Sequence, residues 1–198
     1  MATEIHESNV TSKIVHVLQD FIGRVPVSQE PQSATPDVRS RQIAANASIN
    51  AAVVSGTLAL PPGPLGLLTI IPDLLAVWRI QAQMVSDIAG AYGKTAFLSQ
   101  EQMLYCLFKH ILAHSMRDIV VRVGERLIVR RASLRMLQNI LQKIGVKTTQ
   151  RLIGKGVSRY IPLVGALGVA YYAYYDTGKV GETSIEFFQS DINFESEK

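Results

Sequence analysis

A chain of 198 residues is long enough for one substantial core and too short to divide into two domains without a linker. Its 47% apolar content and mean hydropathy of +0.17 are high, and its 18% charged fraction falls below the ~25% of ordinary globular domains, so apolar surface must be hidden or embedded to an unusual extent. The net charge of +4 by itself selects no partner, but a single cysteine, Cys106, excludes an internal disulfide and fits a reducing compartment.

Met1-Ala2-Thr3-Glu4 is polar and acidic and lacks the basic stretch and apolar run of a signal peptide, so the expected location is cytoplasmic. Between Val10 and Val25, Ile14, Val15, Val17, Leu18, Phe21 and Ile22 recur at helical spacing, with Ser8 or Thr11 as N-cap. Pro26 to Thr35 then reads as an extended linker. Residues 1–35 are thus expected to form an N-terminal amphipathic helix and linker, residues 36–190 a helical domain, and residues 191–198 a polar tail.

Thr35-Pro36-Asp37 supplies an N-cap, a proline at the first helical position and an acid in the first turn, which predicts a helix to about Ala59. No charge interrupts the chain between Arg41 and Asp73. A membrane-spanning helix needs ~20 continuous apolar residues, and Pro61, Pro62 and Pro64 divide this window, so a Pro/Gly-broken hairpin is expected instead of a span. Pro72-Asp73 is expected to restart the chain as a helix, with Asp73 at the positive end of the dipole and Gly93 as terminator.

Ser99 and Gln102 have capping-box spacing and predict a helix to about His114. Ser115 is expected to cap a helix to Arg131 and Ser133 another to Gly145, with Thr148 or Thr149 beginning a short one. A second uncharged block, Tyr160 to Tyr175, begins with Pro162 and is followed by an amphipathic piece from Val180 to Phe188. No segment shows convincing period-two alternation. The expected class is all-α: a single compact multi-helix domain of about eight to ten helices, with two Pro/Gly-broken apolar hairpin elements.

The residues of these blocks resemble those of the EcsC-like proteins over about Ala45 to Phe188. The resemblance rests on Pro72-Asp73-Leu74-Leu75, then Ile88-Ala89-Gly90-Ala91-Tyr92-Gly93, and on Pro162-Leu163-Val164-Gly165-Ala166-Leu167-Gly168. It implies membrane-proximal accessory work, as beside an ABC transporter, and no particular chemistry. Tyr171-Tyr172-Ala173-Tyr174-Tyr175 departs from the asparagine that family members often carry before their closing aromatics.

The charge is concentrated in one segment. Met116 to Arg159 holds eleven Lys or Arg against two acids, a balance of +9, so the rest of the chain carries −5. Arg122, Arg126 and Arg130 fall on one i+4 ladder, and Lys143, Lys147, Arg151, Lys155 and Arg159 on a second. A basic ladder leading into an apolar block resembles a membrane-interface arrangement, with cations at the headgroups and Tyr171, Tyr174 and Tyr175 at the boundary. The plainer reading is solvated helix faces whose arginine stems cover apolar surface. Nucleic acid is disfavoured because aromatics for base stacking are absent from the basic segment.

The sharpest chemical candidate is the series Cys106, His110, His114 and Asp118. Only two ligands one turn apart reach a single ion, because i and i+8 lie ~12 Å apart along the axis. His110 and His114 are therefore the candidate metal pair, against the plainer reading of two histidines at a helix boundary. Ile111 occupies the position of a zincin's catalytic glutamate. No cofactor is expected. The sequence favours a non-enzymatic protein peripheral to the inner face of a membrane or to a transporter there, against a metal-dependent or lipid-acting enzyme using His110 and His114.

Overall fold

A computed structural model describes residues 2–58, 66–95, 98–124, 126–154 and 162–194. The chain is mostly helical, as expected, with six α-helices among the described residues and one small three-stranded sheet. Helix α1 (Ala2–Ile22) buries Ile14, Leu18 and Ile22, which successive i+4 steps place on one face. Thr11 lies well inside this helix, and its hydroxyl donates to Thr149 at 2.9 Å. The extended linker expected from Pro26 to Thr35 is present. It is laid along a later helix by Ser86 Oγ to the Pro26 carbonyl at 2.8 Å, the Gln29 amide to Asp87 Oδ1 at 2.7 Å, and the Ser33 amide to the Ala91 carbonyl at 3.0 Å.

Helix α2 (Pro36–Leu58) starts at the expected proline, with Asp37 in its first turn. Helix α3 (Gly66–Ala91) begins six residues before the expected start, so Pro72 lies inside it and forgoes one intrahelical bond. Asp73 is consequently no first-turn acid: its Oδ1 accepts from Ser55 Oγ at 3.0 Å, tying α3 to α2. At the other end the expected terminator is found. Gly93 has φ +68°, the Lys94 amide bonds the Ala89 carbonyl and the Gly93 amide bonds the Gly90 carbonyl, which together make a Schellman closure.

Helix α4 (Gln100–Met116) opens on the predicted capping box, with both reciprocal bonds between Ser99 and Gln102 formed. Beyond it the structure departs from expectation. Instead of a helix to Arg131, the chain forms β1 (Val120–Val123) and β2 (Arg126–Val129), antiparallel about Gly124 at φ +64°. Two β-branched runs separated by Gly124-Glu125 form a hairpin signal, and it outweighs the cap at Ser115.

Helix α5 (Leu134–Gly154) is capped by Ser133, whose Oγ accepts from the Met136 amide at 3.3 Å. It runs straight through Gly145, where a Cβ would stand 2.6 Å from Val15 Cγ2, so this glycine admits α1 and does not end the helix. Helix α6 (Pro162–Gln189) joins the second apolar block and the amphipathic piece after it into one element of 28 residues. Part of the predicted polar tail forms β3 (Asp191–Phe194), parallel to β2, with Arg126 opposite Asp191.

The main core lies between α1, the first half of α2, α3, α4, α5, the sheet and the C-terminal half of α6. Trp78 meets Phe108 edge-on at 6.0 Å and Phe187 meets Phe188 at 5.1 Å, with Phe21 and Tyr105 beside them. The Pro61 to Pro64 turn, and with it the hairpin expected there, lies outside the described residues.

Candidate functional site

Helices α2 and α6 run antiparallel. A Cβ on Gly181 would stand 2.7 Å from Ala44 Cβ, and one on Gly178 would stand 3.8 Å from Ser48 Oγ, so α2 advances as α6 recedes. The C-terminal half of α2 therefore lies beside the N-terminal half of α6, and the Ser55 bond to Asp73 brings the first half of α3 to the same end. The two apolar blocks of the sequence thus meet each other. Among the described residues Ala51, Val77 and Ala173 form a small buried cluster in their shared interior, with Ile80 packed against them.

Among the described residues, larger side chains of α6 at this end stand outside that centre. Leu167, Tyr171 and Tyr174 recur at i, i+4 and i+7 on α6, opposite buried Ala173, and stand in solvent. Tyr171 is 71% exposed and Leu167 64%. Tyr175 is exposed beside them, under the Lys179 ammonium at 5.6 Å from its ring, and Lys179 pairs with Glu182 at 2.7 Å. On α2, Ile49 and Val53 are also exposed at this end of the molecule. No helix among the described residues is long and apolar enough to cross a membrane.

Beneath the tyrosines lies a polar node that the sequence reading did not anticipate. His110 of α4 donates from Nε2 to Asp176 Oδ1 at 2.9 Å, and Gln81 of α3 donates to Asp176 Oδ2 at 3.0 Å and to Thr177 Oγ1 at 3.1 Å. Tyr172, one turn before Asp176 on α6, hydrogen-bonds the same carboxylate. Burial pushes this carboxyl up, but the bond and charge of His110, then Gln81 and Tyr172, outweigh it and hold Asp176 below the ordinary carboxylate range. His110 Nδ1 is buried and makes no hydrogen bond. The available signal was Asp176 itself, the charge that ends a run of sixteen uncharged residues.

The remaining candidates are dispersed. His114 is exposed, and between it and His110 the backbone leaves helical geometry at Leu112, with φ −131° and ψ 45°. Among the described residues no three of His, Cys, Asp and Glu gather as a ligand set. Cys106 is fully buried, and burial pushes its thiol up to about 12.

The expected Arg122, Arg126 and Arg130 ladder is not formed, because these residues lie on and after the strands of the hairpin. Pairing of Arg122 with Leu127 and of Val123 with Arg126 sends Arg122 and Arg126 to opposite faces of the sheet. Arg122 bonds Glu186 at 2.8 Å, a carboxylate shared with Lys109, and Arg130 is also engaged. Of the second ladder, Lys143 donates to Ser115 Oγ at 3.3 Å and Lys147 to the Ile111 carbonyl at 3.1 Å, beside the kink in α4. The Arg151 side chain, Lys155 and Arg159 lie outside the described residues.

The chain matches no protein-family model. Searches of curated proteins and of solved structures likewise return no match.

Proposed function

We propose that this protein is a non-enzymatic accessory or adaptor that binds peripherally to the cytoplasmic face of a membrane, through the end built by α2, α3 and α6. The observation that carries this reading is the exposure of Leu167, Tyr171, Tyr174 and Tyr175 on one end of a helix bundle. Tyrosine suits the headgroup boundary, where its ring meets acyl chains and its hydroxyl meets water. The resemblance to EcsC-like proteins points to the same setting, in which a transporter in that membrane is the natural neighbour. Lys155 and Arg159 directly precede α6 in the sequence and would add attraction for anionic lipid.

Flotation with vesicles tests the reading. The protein is expected to float with vesicles of phosphatidylcholine and phosphatidylglycerol at low salt, and less with phosphatidylcholine alone. Raising the salt weakens the anionic preference and leaves the tyrosine contribution in place. Failure to float with either vesicle at low salt removes the lipid reading.

A further inference from the structure

The geometry points to Asp176 as the positioning residue of the tyrosine face: its carboxylate locks the N-terminal half of α6 to α3 and α4 and so presents Leu167, Tyr171, Tyr174 and Tyr175 as a rigid surface. This inference rests on the membrane reading for its purpose, but the lock can be tested without it.

Among the described residues the apolar cluster at this end is small. Among the described residues of this half of α6, Ala173 enters the Ala51 and Val77 cluster, and two alanines and a valine bury far less surface than the aromatic core around Phe187. The polar node supplies what the packing lacks. Each Asp176 oxygen has a partner on a different helix, His110 of α4 on Oδ1 at 2.9 Å and Gln81 of α3 on Oδ2 at 3.0 Å. Tyr172 then connects the node to the surface, because it hydrogen-bonds Asp176 while belonging to the exposed tyrosine run. Hydrogen bonds to an ionised acceptor are the strong ones, and a partly buried carboxylate with three donors is costly to disturb. A face that inserts into headgroups loses less entropy on binding when it is already ordered.

The test compares the wild type with Asp176→Asn, Tyr172→Phe and Tyr174→Ser in the full-length chain. It reads amide hydrogen exchange across residues 167–175 and flotation with equimolar phosphatidylcholine and phosphatidylglycerol vesicles. Tyr172→Phe keeps the ring and removes only the hydroxyl, so it is expected to fold with a slightly lowered melting temperature. It should nevertheless exchange several-fold faster across 167–175 and float several-fold less. Asp176→Asn is expected to do both more strongly, and Tyr174→Ser to float less with exchange unchanged. If Tyr172→Phe and Asp176→Asn exchange and float as the wild type does while Tyr174→Ser loses binding, the lock is wrong and the membrane reading stands. If no variant floats, including the wild type, the membrane reading falls. The exchange data alone then decide the lock, and unchanged protection in both variants overturns it.

Discussion

The two halves of α6 treat aromatic residues in opposite ways. Toward the C-terminus Phe187 and Phe188 are buried against Tyr105 and the core around Trp78 and Phe108, whereas toward the N-terminus Tyr171, Tyr174 and Tyr175 stand in solvent. The rings are similar, and what differs is the surface opposite them. Large side chains from α3 and α4 make a deep interface at one end, while among the described residues Ala173 meets the smaller Ala51 and Val77 at the other. Burial here follows the depth of the opposing surface more than the hydrophobicity of the ring.

Phe108→Ala tests the deep half. The side chain is almost wholly buried, edge-on to Trp78, and its removal leaves a cavity that rigid neighbours fill poorly. A loss of ~3–5 kcal/mol is expected, a large share of the stability of any domain this size. Urea unfolding with an unchanged slope checks it. A loss below ~1 kcal/mol would mean that this end is packed no better than the tyrosine end, and the contrast would fail.

Asp176 sits between the two halves, and its titration sharpens where the deep region ends. The folded protein holds this carboxyl below its ordinary value, so over the window between the two values the unfolded chain binds more protons than the folded one. The stability it contributes is complete above the ordinary aspartate value of about 3.9 and is lost as pH falls through the lowered folded value. Asp176→Asn is expected to cost ~1–3 kcal/mol at neutral pH and to show a shallower decline than the wild type below about pH 4. Urea midpoints measured across that range check both, and parallel profiles would remove Asp176 from the junction.

Most of the helical frame was legible because its signals are local. Periodicity marked α1, Thr35-Pro36-Asp37 marked the start of α2, Gly93 closed α3, and Ser99 with Gln102 opened α4. What was illegible depended on contacts between distant residues. Gly145, read as a terminator, is mid-helix because Val15 packs against it, and Asp73, read as a dipole acid, answers Ser55. The hairpin was legible in principle in its β-branched runs around Gly124, but the cap signal at Ser115 pointed to a helix through the same residues. The exposed tyrosines of the site could be named from sequence, whereas the node beneath them could not, since His110 and Asp176 meet only once α4 and α6 are folded together.

The smallest effect on stability is expected at Tyr171→Ser. A ring that is 71% exposed has little folded-state packing to lose, so the change should fall within about ±0.5 kcal/mol despite removing as many aromatic atoms as a core substitution would. The same variant is expected to float less with anionic vesicles, because the area it removes is area the water already sees. Melting temperature and flotation measured on one preparation separate the two. A thermal loss comparable to that of Phe108→Ala would place Tyr171 in a packed interface within the monomer and make the two halves of α6 alike. An unchanged melting temperature with diminished flotation would instead mean that folding leaves this end of α6 unsatisfied and that a second surface completes it.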